Sequence, residues 1–251
     1  MTRDRRDLAL LHGRIRACTK CVAAGWLERA RPIVAGKASD AIAIVGQAPG
    51  SVELQTGFPF SGRSGVVIRK WMAEAGLGED ELPYRTAITK CFPGKAANGA
   101  GDRRPSPAEI ALCVLWLEEE LAILRPEVVL LVGQLAIERY WGRVALDEAV
   151  GRSRRDGDRV YIPLPHPSGT SRWLNEERNR ALLRRALRIL ACEVERLRVE
   201  EKLSERREPS TAARGSRPPR SASRTSARPS SPVRAAPRRS AARTPSRATG
   251  T

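Results

Sequence analysis

The hydrophobic positions fall into short compact runs separated by longer stretches with one apolar face. Ala41 to Val45, Tyr84 to Ile88, Val128 to Val132 and Val160 to Leu164 read as strands. Runs apolar on both sides, ending in Gly or a loop, are the signature of a parallel sheet buried on both faces. Asp7 to Ala17 reads as a short helix, and Ser64 to Ala75 as another, with Val67, Ile68, Trp71 and Met72 on one face. Ser106-Pro-Ala-Glu109 predicts a helix start, with Ser as N-cap, Pro at the first helical position and Glu completing a capping box. That helix runs to about Leu124, before Pro126. Another helix begins at Gln134, and a long one at about Ser171. Strands alternating with helices predict an α/β fold with a mostly parallel sheet. Ligands of such sheets bind beyond the carboxyl ends of the strands. The loops after Val45, Ile88, Val132 and Leu164 should therefore meet in one cleft.

The pattern stops near Leu203. From there to Thr251 the chain is Arg-, Ser- and Pro-rich and almost without large apolar side chains, so it cannot offset its ordering entropy. One domain over residues 1–203 and a disordered basic tail over 204–251 are expected. The tail carries twelve Arg against two acids, more than half of the chain's net charge of +17. The remaining positive charge suits a nucleic-acid partner. No apolar run is long enough to cross a bilayer, and residues 1–11 show no signal-peptide pattern, so a cytoplasmic location is expected.

Five cysteines, an odd number, argue against a disulfide framework. Cys18 and Cys21 form a C-x-x-C before the first strand, Cys91 follows the second strand, and Cys113 lies inside the capped helix. Four thiolates suit either zinc or an iron–sulfur cluster. Cys192 is left over and is expected to be structural. The turn Gly46-Gln-Ala-Pro-Gly50 lets backbone N–H groups approach a ligand. Phe60, in Thr56-Gly-Phe-Pro-Phe60, is a loop aromatic able to stack on a base. His166, in His166-Pro-Ser-Gly169, stands at the mouth of the fourth strand, whereas His12 is expected at the surface.

In this order, these pieces resemble the uracil-DNA glycosylase superfamily, closest to its iron–sulfur, family 4 branch. The motifs are the C-x-x-C, Gly46-Gln-Ala-Pro-Gly50 with Glu53 and Gly57-Phe-Pro-Phe60, Lys90-Cys91-x-Pro93 with Cys113, and His166-Pro-Ser168. The resemblance implies a three-layer α/β/α sandwich around a short sheet. It implies a monomeric enzyme that hydrolyses the N-glycosidic bond of uracil, or a related deaminated base, flipped out of single- or double-stranded DNA, acting in base-excision repair at the nucleoid. Cys18, Cys21, Cys91 and Cys113 would hold a 4Fe–4S cluster, with zinc as the lesser alternative. Gly46, Ala48 and Pro49 would line the base pocket with Ala87 and Ser168, Phe60 would stack on the base, and His166 would face the base carbonyl that gains charge.

Ala48 stands where another branch of the superfamily places a water-directing Asp, leaving Glu53 and then Gln47 to position water. Gln47 stands where family 4 commonly has Glu. Ala87 stands where the family reads the uracil edge with Asn, and Thr86 or Thr89 are the residues that would compensate. This substitution favours a second reading, a DNA-binding iron–sulfur protein without catalysis; a redox protein ranks last. Arg63, Lys90, Lys95, Arg103 and Arg104 are candidate phosphate contacts, and Trp173 or Leu174 a candidate wedge in the base stack.

Overall fold

The structure is a computed structural model describing residues 3–78, 81–99, 101–168 and 172–207. The elements follow in the order α1 (Arg3–Arg16), α2 (Lys20–Ala23), β1 (Ile42–Gly46), α3 (Ser51–Thr56), α4 (Arg63–Glu74), β2 (Tyr84–Ala87) and α5 (Pro107–Leu124). Then come β3 (Val128–Val132), α6 (Gln134–Tyr140), α7 (Leu146–Ala149), β4 (Arg154–Asp156), β5 (Arg159–Leu164), a 3-10 turn (Arg172–Asn175) and α8 (Glu177–Arg207). The five strands form one sheet in the order β2-β1-β3-β5-β4, parallel except for β4, which runs antiparallel to β5.

The two-residue period of the strands divides the core in two. Ile42, Ile44, Leu130, Val132, Ile162 and Leu164 face Ile68, Trp71 and Met72 of α4 and Ala186, Leu187 and Leu190 of α8. Their neighbours Ala43, Val45, Val129, Leu131 and Tyr161 face Leu8 of α1 and Leu117, Leu121 and Leu124 of α5, with α6 beside them. Helices on both faces of a mostly parallel sheet make the expected three-layer α/β/α arrangement. The capping box at the start of α5 is present, with Ser106 Oγ accepting from Glu109 N and Glu109 Oε2 accepting from Ser106 N. No described helix is long and apolar enough to cross a membrane.

Several features differ from the sequence expectations. The edge strand β4 was missed because all three residues are polar and exposed, so no apolar pattern marks it. The long helix starts at Glu177 rather than Ser171; the 3-10 turn ahead of it is held by Asn179 Nδ2 donating to Trp173 O and Arg180 Nη1 donating to Leu174 O and Asn175 O. Trp173 and Leu174 pack against the α4–α8 core. The same helix continues past Leu203 to Arg207, and the rest of the expected tail lies outside the described residues. Cys192, expected to be structural, is exposed on α8 and free of a disulfide. His12 is buried, not at the surface: Leu8, Leu11, His12 and Ile15 form the inward stripe of α1.

Candidate active-site cleft

Because β1, β2, β3 and β5 are parallel, their carboxyl ends open on one side, and a cleft of about 740 Å³ lies there. The turn after β1, the end of β2, the end of β3 and the loop after β5 supply its walls. Gly46, Gln47, Ala48, Pro49, Glu53 and Phe60 line it, and Ala87, His166 and Ser168 join them from the other strands.

Phe60 is held in an unusual conformation. Its φ of 53° places it in the left-handed region, which a bulky residue rarely adopts. A methyl group on Gly46 would lie 3.0 Å from Phe60 Cζ, so the ring rests against bare backbone at the end of β1. A methyl group on Gly65, in the first turn of α4, would lie 1.7 Å from Phe60 O, so only glycine lets that helix approach. Such strain persists where surrounding structure enforces it, and it concentrates at functional sites.

His166 packs against Gly133 at the end of β3. The Ser168 backbone N–H donates to Nδ1 at 3.2 Å. An amide can only donate, so Nδ1 must accept, and the neutral ring carries its proton on Nε2. Burial lowers the His166 pKa below its ordinary value of 6.5. The cleft therefore contains a neutral imidazole with an Nε2–H donor.

Glu53 is nearly buried within α3. Its Oε2 accepts from Gly50 N at 3.1 Å, and Oε1 accepts from Ser61 N and Gly62 N, each at 3.0 Å. This carboxylate ties the turn after β1 to the Phe60 loop. Gln47 accepts from Thr89 N through its backbone oxygen, and its side-chain amide has no partner among the described residues.

The floor near Ala87 rests on a buried polar network. Lys90 Nζ donates to Glu120 Oε2 at 2.6 Å, Thr86 Oγ1 at 2.5 Å and Ala87 O at 2.8 Å. Thr86 and Tyr84 hydroxyls also donate to Glu120, and Tyr84 Oη meets His12 Nε2 at 2.7 Å. The Lys90 and Glu120 side chains are 2% and 0% exposed. Lys90 is therefore not available to a phosphate, correcting the sequence expectation. Thr86 spends its hydroxyl on this network, while Thr89 is buried and its Oγ1 has no partner among the described residues. The network left no period or spacing in the sequence; the one signal was a Lys and a Glu at otherwise apolar positions.

Of the other basic candidates, Lys95 pairs with Asp102, Arg103 with Glu109 in a bidentate bridge, and Arg104 with Glu138. Arg63 is exposed at the cleft and makes no ion pair among the described residues.

Cys18, Cys21, Cys91 and Cys113 are all free of disulfides. Burial pushes the Cys91 thiol up to about 12, and its proximity to Cys113, Cys21 and Cys18 adds to the rise. Cys113 is likewise raised to about 11, first by burial, with Cys21 and Cys18 contributing. Its Sγ accepts from Lys90 N at 3.2 Å. Among the described residues no three His, Cys, Asp or Glu side chains converge on one position sized for a single metal ion.

Residues 34–191 match the model of the uracil DNA glycosylase superfamily. The chain is 28% identical over 180 residues to the type-4 uracil-DNA glycosylase of Thermotoga maritima, covering 70% of this chain and 89% of that protein. It is 29% identical over 146 residues to the type-4 uracil-DNA glycosylase of Pyrobaculum aerophilum, covering 58% and 67%. The type-5 uracil-DNA glycosylase of Thermus thermophilus is 32% identical over 152 residues, covering 54% and 64%.

Proposed function

The chain belongs to the uracil DNA glycosylase superfamily, and from that premise we propose that it hydrolyses the N-glycosidic bond of uracil in DNA and so begins base-excision repair. The observation that carries this reading is the neutral His166, its Nδ1 taken by Ser168 N, in the same cleft as the strained Phe60. When the base–sugar bond breaks, its electron pair goes to the base. A donor aimed at the base carbonyl stabilises that charge, and a fixed dipole in a water-poor site does this best. His166 Nε2–H is that donor. Phe60 stacks on the flipped base, with Gly46, Ala48 and Pro49 around it and Ala87 beneath its edge. Deaminated bases related to uracil are further substrates of this pocket, because Ala87 supplies no side-chain hydrogen bond to select against them.

Glu53 and then Gln47, the residues expected to position water, stand beside the sugar and order the site there. Glu53 does so through the three backbone N–H groups it holds, and Gln47 through a side-chain amide that lines the cleft and can bind water. Arg63 is the first phosphate contact, and the Arg-rich tail adds salt-sensitive affinity. The protein works as a monomer on single- or double-stranded DNA, in the cytoplasm at the nucleoid.

Cys18, Cys21, Cys91 and Cys113 suit a 4Fe–4S cluster: they are four free thiols near enough to act on one another's titration, and the carboxylate beside Cys21, Glu109, is taken by Arg103. When bound, the cluster supplies a rigid cross-link. The chain's own contribution is to bring together the segment after α1, the loop after β2 and α5.

The test is incubation with uracil-containing single- and double-stranded oligonucleotides, followed by alkali. Strand breaks at uracil are expected, with His166→Ala slower by on the order of a hundredfold or more. Binding without breaks would overturn the enzymatic reading and leave a non-catalytic DNA-binding protein.

A further inference from the structure

The attack of water needs a group that orients it and accepts its proton, and Ala48 leaves that position without a carboxylate. Two acidic residues line the cleft, Glu53 and Asp102. They converge on Gly50: a methyl group there would lie 2.8 Å from both Asp102 Oδ2 and Glu53 Oε2. Their surroundings differ. Glu53 is nearly buried and holds three backbone N–H groups. Asp102 is 34% exposed, and among the described residues each oxygen has one bond: Lys95 Nζ to Oδ1 at 2.8 Å and Ser51 N to Oδ2 at 3.2 Å. A carboxylate oxygen has about two acceptor sites, so each Asp102 oxygen keeps one for water.

Asp102 reaches the cleft because the segment between Pro93 and Arg104 folds back on itself. Lys95 and Asp102 form a β-bridge, Ala96 N donates to Gly101 O, and Arg103 N donates to Gly94 O. The position also suits the reaction. The turn carrying Gly50 leaves β1 and His166 follows β5, with β3 between them. Two strand spacings separate the two ends, roughly 10 Å, enough for a nucleoside to lie with its base at one and its sugar at the other. The cleft thus has a neutral donor where the leaving base becomes anionic and carboxylates where the sugar becomes cationic.

We propose that Asp102 is the catalytic carboxylate that orients the attacking water, in place of the one missing at Ala48; this deepens the glycosylase reading and rests on it. The C1′–N bond breaks with its electron pair leaving on the base. Water oxygen bonds to C1′, and its proton passes to Asp102 and then to solvent. The departing base anion, held by His166, takes a proton from solvent.

The test compares Asp102→Asn, Asp102→Glu and Asp102→Ala with wild type in single-turnover assays on uracil-containing DNA, alongside DNA affinity and thermal melting. Asn keeps an oxygen for Ser51 N but loses the Lys95 bond together with the base, and thermal melting reads how much the loop depends on that bond. The expected result is a rate loss on the order of a hundredfold for Asp102→Asn, DNA affinity within a few-fold, partial recovery in Asp102→Glu, and faster turnover of Asp102→Ala with added formate or azide. An Asp102→Asn rate within threefold of wild type, a defect confined to DNA binding, or no rescue by the small anions would overturn it while the glycosylase reading stands. A wild type that binds uracil-containing DNA without cutting it would remove that reading and this inference together.

Discussion

Replacing Lys90 by Met should destabilise the protein by about 3–5 kcal/mol, the usual cost of breaking a buried ion pair from one side. Met retains most of the apolar stem, so the loss is that of the ammonium. Its removal deprives three acceptors at once: Glu120 Oε2, Thr86 Oγ1 and Ala87 O, all within 2.8 Å of Nζ. Glu120 would keep two neutral donors, Tyr84 and Thr86, in a place with no solvent to screen it. Glu120→Leu should cost a similar amount, since it strands the ammonium. The double variant Lys90→Met/Glu120→Leu removes both charges and leaves the Ala87 carbonyl and the Thr86 hydroxyl to be satisfied, while the Tyr84 hydroxyl keeps His12 as a partner. At about 1–3 kcal/mol for each unpaired buried group, it should be about as stable as either single variant. The coupling in a double-mutant cycle is then about 3 kcal/mol or more in favour of the pair. Urea unfolding followed by circular dichroism at neutral pH measures it. The double variant should still bind uracil-containing DNA more weakly, because the carbonyl at the floor of the cleft is no longer held. Single variants costing less than about 1 kcal/mol, or a double variant costing the sum of the two, would refute this account of the network.

Other consequences can be checked separately. Gly65→Ala should fail to give folded protein, because its methyl would sit 1.7 Å from Phe60 O, whereas Gly46→Ala at 3.0 Å from the Phe60 ring should fold and lose activity; melting curves and glycosylase assays distinguish them. Burial holds His166 neutral, so kcat/KM should be flat above pH 6.5 and fall as acid protonates Nδ1 and breaks the Ser168 bond; a loss beginning above pH 7 would contradict this. For the proposed 4Fe–4S site, Cys91→Ser or Cys113→Ser should abolish iron binding and the visible absorbance that goes with it, while Cys192→Ser, exposed on α8, should leave both intact. The Arg103 guanidinium is the main cause holding Glu109 at about 2 rather than 4.5, so this carboxylate stabilises the fold above pH 4.5 and loses its contribution as pH falls towards 2; Arg103→Ala should flatten that dependence in pH-resolved unfolding.

The sequence carried what repeats along the chain or follows from local backbone chemistry. Three buried strands were legible because Ile42 to Val45, Val128 to Val132 and Val160 to Leu164 are apolar on both faces, and such strands must be covered by helices on both sides, whereas Tyr84 to Ala87 alternates between buried and half-buried positions. The start of α5 was legible because Ser106, Pro107 and Glu109 satisfy the helix end locally. The cleft's location followed from strand polarity, and the meaning of the motifs around it from their resemblance to the superfamily. What joins residues far apart in sequence was decided by tertiary packing. His12 and Tyr84 are 72 positions apart and Lys90 and Glu120 are 30 apart, and no pattern along the chain records such a contact. The same holds for Glu53, a loop tie made by backbone groups that sequence does not distinguish, and for Asp102, brought to the cleft by a loop that folds back on itself. Apolar periodicity is fixed by the geometry of one element, whereas buried polar partners depend on which elements meet, and only the folded chain determines that.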